Sequence, residues 1–338
     1  MALEVKRLDG IEQANQNQWN NVVEQSDLGC VYHRYEWLRA IETGIGHNPK
    51  HLVVSKKDNP IAIFPNFVTD LGPLKRLSSI RPGYGGPIAM TEEEDALDLL
   101  LDTVSECCNG SVVLNELRTY DQSFVRYQTA FREAGYRPEI LSCRFTLDLT
   151  NGWEAIFDGM HSERRRGIRR GHDQAFEVVD EEVTEGTLSA FYDDYATVMD
   201  RVEQPTLPWS FVRQLNGFSD RVKLFTLRVD GEQRGSYLYL LDEEQSTVQH
   251  TFTGVMEEHF EYHAAELLHE HAINWGIDQG YETYELRGSP ADFRNGVFRF
   301  KEYFGAQPTP VLSWERGRPA PLLSMLNTGR TIAQRFGR

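Results

Sequence analysis

The spacing of apolar residues along this chain switches between the two-residue period of a strand and the 3.6-residue period of a helix, and a closely similar order of elements occurs twice. In the first half, residues 3–8 read as a strand, 11–25 and 34–43 as helices, and 51–56 and 61–69 as strands. Helix, strand, helix and strand follow at 91–107, 111–117, 123–134 and 141–149. The order restarts with a strand at 176–183 and helices at 188–201 and 209–218. Strands 222–229 and 234–241 form a hairpin across Asp230-Gly231, a strong turn signal. A strand at 247–256, a long helix at 264–279 closed by Gly280 and a strand at 281–287 complete the half. A chain of 338 residues exceeds the size at which one core keeps growing. The expected organisation is therefore a domain over 1–150, a basic helical joint over 151–175, a second domain over 176–315 and a basic tail over 316–338.

The net charge of −16, from 35 basic and 51 acidic residues, sets the surface against polyanions except where it is locally reversed. Reversal occurs twice: residues 161–172 carry five arginines against one Glu, and residues 316–338 carry five arginines and no acid. An acidic surface with only seven lysines suits work in high salt, where the Debye length falls to about 3 Å at 1 M. No run of eighteen apolar residues appears and the N-terminus shows no signal-peptide core, so a soluble cytoplasmic protein is expected. Cys30, Cys107, Cys108 and Cys143 lack zinc-site spacing and read as small hydrophobes.

The chemistry concentrates at the C-terminal end of the second half. The strand 281–287 is stopped by Gly288-Ser289-Pro290, delivering its last side chains to the open edge where α/β sheets place ligands. Phe298, Phe300, Tyr303 and Phe304 then surround a single cation, Lys301, in a short helix that Gly305 ends. Residue types alone favour a core helix whose Lys301 snorkels to water. The loop 80–87, rich in Gly and Pro, is either a plain turn or a ligand-facing loop carrying Tyr84.

Four stretches carry a family resemblance. They are Met160-His-Ser-Glu-Arg-Arg-Arg-Gly-Ile-Arg-Arg170 after Trp153, Phe191-Tyr through Arg201 before a proline loop, Ala272-Ile-Asn-Trp-Gly-Ile-Asp-Gln-Gly280, and Gly296-Val-Phe-Arg-Phe-Lys-Glu-Tyr-Phe-Gly305. Their order and spacing resemble the tandem GNAT acyltransferases of the FemAB-like and BioF2-like kind. The first half matches more loosely, through its Trp37 helix and the Tyr84-Gly-Gly-Pro loop. The resemblance implies an α+β protein of two tandem GNAT-like domains, each a mixed, mostly antiparallel sheet flanked by helices. It implies transfer of an acyl or aminoacyl group to a small amine acceptor, with an acyl thioester such as acyl-CoA as co-substrate. Aminoacyl-tRNA is the alternative donor, disfavoured by the acidic surface and by a habitat whose salt screens tRNA contacts. A silent tandem scaffold binding a phosphorylated small molecule is the alternative from another class. Lys301 corresponds to the family lysine that stabilises the oxyanion, with Phe300 shaping the pocket. One departure concerns the donor: residues 254–265 lack the Gln/Arg-x-x-Gly-x-Gly/Ala spacing with which coenzyme A enzymes of this fold cradle a pyrophosphate.

The remaining candidates are read from residue type and place. Glu285 at the strand end and His250 on the preceding strand are bases for the amine, each weighed against a surface carboxylate or a satisfied strand histidine. Arg287 and Tyr84 are candidates for binding substrate. Arg166, Arg169 and Arg170 fall on adjoining faces of a helix and suit phosphate oxygens of a phosphorylated acceptor, or else pair with the many acids. His259, His263, His269 and His271 are read as a solvated loop and helix face, and no metal site is assigned to them.

Overall fold

The computed structural model of the protein describes residues 2–107, 110–119 and 122–317. The chain divides into two compact units, one comprising Met1–Glu42, Gly46–Leu141 and Val311–Arg338, the other Thr43–Ile45 and Ser142–Pro310. The paired helices expected as a joint, Gly152–Gly159 and Ser162–His172, lie within the second unit. Most of the basic tail, from residue 318 onward, lies outside the described residues, as does Cys108.

In the first unit an antiparallel sheet has the order Glu4–Leu8, His51–Lys56, Asn59–Phe64, Ile88–Ala89. Helices Gln16–Gln25 and Glu93–Cys107 pack on it, the former opened by Asn15, whose side chain accepts from the Gln18 amide at 3.1 Å. A second group of strands orders residues 313–317, Val112–Arg118, Leu74–Ser78, Phe67–Leu71 and Asn48–Pro49. The single strand expected over 61–69 is two, because Pro65 cannot donate to a ladder and Asn66 turns its side-chain amide onto the Phe64 carbonyl at 2.9 Å. Leu74–Ser78, which carries Lys75 and Arg76 between its apolar residues, was not anticipated as a strand.

In the second unit the strand order is Phe176–Glu181, Val222–Val229, Glu232–Asp242, Thr247–Gly254, Thr283–Ser289, then residues 143–148. All neighbours are antiparallel except Thr247–Gly254 and Thr283–Ser289. The connection between those two is the helix Ala264–Gln279, as a parallel crossover requires. That helix buries Leu267, Leu268, Ala272 and Ile273 against a core containing Phe145, Leu227, Tyr239 and Tyr284. Ser162–His172 and Gly152–Gly159 pack against it in turn. Glu185–Arg201, opened by a Thr184–Thr187 capping box, packs on Thr247–Gly254. This is the mixed, mostly antiparallel sheet flanked by helices that the family resemblance implied.

Candidate functional site

The two parallel strands of the second unit pair only through Thr247 with Thr283, Val248 with Tyr284 and Gln249 with Glu285, although both run several residues further. Each becomes irregular where the pairing ends. Thr251 is an extra residue between His250 and Phe252, which oppose Tyr239 and Leu238. On the other strand Leu286 and Arg287 interrupt the register between Glu285 and Gly288. Bulges end pairing and re-aim side chains, which is why they collect beside binding sites. Arg287 sits at φ +61°, a left-handed conformation that costs a non-glycine residue on the order of 1 kcal/mol.

Lys301 ties down that bend. Its Nζ donates to the carbonyls of Arg287 at 3.0 Å and Gly288 at 2.7 Å, acceptors that the interrupted ladder leaves over. An ammonium has three donors, so one remains among the described residues. The residue is only 7% exposed, against the expectation that it snorkels to water. Asn295 explains the placement: its side chain accepts from the Val297 and Phe298 amides and starts the helix Gly296–Glu302, while Gly305 at φ +80° ends the turn after it. Burial pushes the Lys301 ammonium down to about 7, the Arg287 charge acts in the same direction, and Glu285 opposes.

The other predicted residues of this strand pair gather around it. Glu285 is buried and accepts from Arg144 Nη1 at 3.2 Å, so it is part of an interior ion pair rather than a surface carboxylate. Arg287 is exposed, reaches across the parted strands to donate to the Thr251 carbonyl at 2.6 Å, and lies 5.6 Å from the centre of the Phe252 ring. His250 is buried against the Tyr237 ring at 4.2 Å and has Nε2 3.2 Å from Thr253 Oγ1. Its Nδ1 has no partner among the described residues. Burial, then the charges or dipoles of His269, Lys301 and Arg287, hold the imidazole well below its usual range, so it is neutral at pH 7. His269 corrects the sequence reading of a solvated face: it is 2% exposed, with Nδ1 2.6 Å from the Tyr284 hydroxyl. Its helix is covered by both the sheet and Ser162–His172, so its buried face is wider than one apolar stripe.

A cavity of 440 Å³ includes Tyr237 and Thr253 from the strands, Phe300 and Val297 from the short helix, and Arg164 and Glu266. Arg164 forms a close ion pair with Glu266 and stacks its guanidinium 4.1 Å from the centre of Phe300 and 4.8 Å from that of Phe304. Burial draws the guanidinium below its ordinary value, and Glu266 opposes. Arg166, Arg169 and Arg170 are exposed on the outer side of the same helix, Arg169 5.3 Å from the Phe157 ring. The basic helix packs through Arg164, Gly167, Ile168 and Gly171. A Cβ at Gly171 would come within 2.8 Å of the Leu267 side chain, so a small residue is required there. The glycines around Ile168 were thus the signal that marks Arg164 as inward-facing.

The segment before the long helix does not form a phosphate cradle. Glu257–Tyr262 is a tight 3₁₀ turn, His263 is left-handed at φ +53°, and the first turn of Ala264–Gln279 already holds Glu266. A carboxylate there meets the positive end of the helix dipole. Tyr84 belongs to the first unit, where its ring lies 6.1 Å from Tyr32 and 5.0 Å from the Arg118 guanidinium. Among the described residues no helix is long and apolar enough to cross a membrane.

Residues 162–302 match the family model described as acetyltransferase (GNAT) domain. The crystal structure of FemX aligns at 11% identity over 95% of this chain and 99% of its own, with a TM-score of 0.73. The C-terminal domain of a putative lysylphosphatidylglycerol synthetase from Agrobacterium fabrum aligns at 15% identity, over 91% and 96% of the two chains, with a TM-score of 0.59. A tandem GNAT protein from the clavulanic acid biosynthesis pathway aligns at 12% identity over 94% and 98%, with a TM-score of 0.56. At these identities the likeness is one of fold. No curated protein matches the chain in sequence.

Proposed function

We propose, from the match of residues 162–302 to the acetyltransferase (GNAT) domain model, that the second unit is an N-acyltransferase whose donor carbonyl lies where the two parallel strands part. The observation that carries this is the pair of bulges at Thr251 and at Leu286-Arg287, with a cavity of 440 Å³ lined by Thr253, two residues after the first bulge, and by Phe300, the neighbour of Lys301 in sequence. Parted strands leave backbone groups without a ladder partner, and such groups hold a thioester carbonyl as a third strand would. Attack by a neutral amine forms the C–N bond, the C–S bond breaks, and the thiolate leaves with the proton the amine gives up. Glu285 is engaged by Arg144 and the buried imidazole of His250 is held well below its usual range, so neither is assigned that proton, which the leaving thiolate carries away. The remaining donor of Lys301 is assigned to the oxyanion, where a charge in poorly hydrated surroundings acts strongly. Phe300 and Arg164 wall the cavity that receives the acyl group or its acceptor.

A second donor is favoured by one observation. The 3₁₀ turn Glu257–Tyr262 and the left-handed His263 stand where a coenzyme A diphosphate would need a backbone cradle, a grip that an aminoacyl ester does not require. Native mass spectrometry of the full chain with acetyl-CoA and with aminoacyl-tRNA separates the two. The thioester reading expects a stoichiometric acetyl-CoA complex and release of free thiol when primary amines are added. Retention of charged tRNA alone makes the aminoacyl donor the correct one, and binding of neither refutes the acyl-transfer reading.

A further inference from the structure

A second cavity, of 420 Å³, lies wholly in the first unit and includes His47, Thr69, Asp70, Lys75, Arg76 and Arg81. Its floor is the hairpin Phe67–Leu71 and Leu74–Ser78, in which Thr69 stands opposite Arg76 and Asp70 opposite Lys75. Arg76 is positioned by its Nε, which donates to Thr69 Oγ1 at 3.0 Å. The carboxylate beneath, Glu116, is 2% exposed and accepts from the Ser78 hydroxyl at 3.2 Å. It lies 3.5 Å from Arg76 Nη1 and 3.9 Å from Arg81 Nη1, an ion pair with each but beyond good hydrogen-bond length. Among the described residues neither the Arg81 guanidinium nor the Lys75 ammonium has a hydrogen-bond acceptor. Arg118 adds a fourth cation acting on Arg81, and its own Nε is buried without a partner among the described residues. Four cations thus face two carboxylates, in a protein of net charge −16.

Groups in the cavity respond to that excess. Burial, Arg118 and Arg76 together push Arg81 down to about 10, with Glu116 and Tyr84 opposing. His47 is pulled below its usual value first by burial and then by Arg81 and Arg76, so at neutral pH it is an uncharged donor and acceptor. A guanidinium fork without a hydrogen-bond acceptor among the described residues, a second fork held in place by Thr69, the Lys75 ammonium and a neutral imidazole match a tetrahedral oxyanion better than a planar carboxylate, because phosphate oxygens point in several directions at once.

We infer that the first unit binds a phosphate-bearing ligand, a phosphomonoester or diphosphate, in the cavity formed by His47, Lys75, Arg76 and Arg81. This site is independent of the acyl-transfer reading, which concerns the second unit. Calorimetric titration of the full chain with inorganic pyrophosphate tests it, and sedimentation with vesicles of phosphatidic acid in phosphatidylcholine distinguishes a lipid headgroup from a free phosphate ester. Arg81→Gln is expected to weaken binding at least about tenfold in whichever arm shows it, as loss of a charged hydrogen-bonding group does. Arg228→Gln, which breaks a surface pair with Glu181 in the second unit, is expected to leave that binding unchanged. The Arg81 side chain is 41% exposed, so its replacement preserves the melting temperature. Binding of neither probe, or equal binding by wild type and Arg81→Gln, overturns the assignment.

Discussion

Replacing Lys301 with Met probes the charge at the strand bend while keeping most of the buried aliphatic stem. Folded Lys301 loses its proton near pH 7, whereas in the unfolded chain it keeps it to 10.5. Between those values the unfolded chain binds a proton that the folded one lacks, so stability from this residue rises with pH and levels off above the unfolded pKa. At 1.36 kcal/mol per pH unit the gain between pH 7 and 9.5 is roughly 3 kcal/mol. The variant has no such gain. It also leaves the Arg287 and Gly288 carbonyls without the bonds at 3.0 and 2.7 Å, a fixed cost of about 1–3 kcal/mol for each group that stays buried. Urea unfolding of both proteins at four pH values separates the two effects, since other titrating groups cancel in the difference. Wild type should pull ahead of the variant by about 3 kcal/mol across the window. A difference that stays constant with pH refutes the account of a buried, depressed ammonium.

Further outcomes follow from the same geometry. Arg164→Met should cost about 1–3 kcal/mol, because the half-buried Glu266 loses its cation, and adding Glu266→Leu should restore most of it in denaturant melts. Gly171→Val should destabilise by about 1–3 kcal/mol through overpacking on Leu267, whereas Gly217→Ala, with open space at its Cβ, should be close to neutral in the same melts. The triple replacement of Arg166, Arg169 and Arg170 by Gln should change stability by less than about 0.5 kcal/mol per site and leave donor binding to the second unit intact, measured by native mass spectrometry.

Periodicity read the layers of the second unit well, because its strands are buried on one or both faces and its helices carry clear caps such as Thr184 and Gly280. It failed where local chemistry competes with the pattern. Leu74–Ser78 breaks the two-residue period with the adjacent Lys75 and Arg76, and those cations line a cavity rather than facing solvent alone. Lys301 and Glu285 were legible as a place in the chain but not as an interior: nothing local shows that Arg144, over a hundred residues earlier, supplies the countercharge. The inward arginine of the basic helix was legible in principle, since Gly167, Ile168 and Gly171 mark one face and Arg164 extends it. His269 was not, because whether a helix is covered once or twice depends on a partner element that the helix's own residues do not encode. The bulge at Thr251 carries no glycine or turn signal, and Gly288-Ser289-Pro290 after Arg287 reads as a strand end rather than a bulge, so the parting of the strands was visible only in the fold.

The central claim is that acyl transfer occurs in the cavity beside the parted strands. Ala265, which lines that cavity, offers the most direct test. Ala265→Trp fills the space, whose lining includes none of Lys301, His250, Thr251, Leu286 and Arg287. The measurement is thiol release from acetyl-CoA, or deacylation of aminoacyl-tRNA, with a panel of primary amines, alongside the melting temperature. The account predicts a folded variant in which amine-dependent transfer falls at least about a hundredfold, as expected when the reacting groups are denied their geometry. A folded variant that transfers at the wild-type rate contradicts it and places the chemistry elsewhere in the protein.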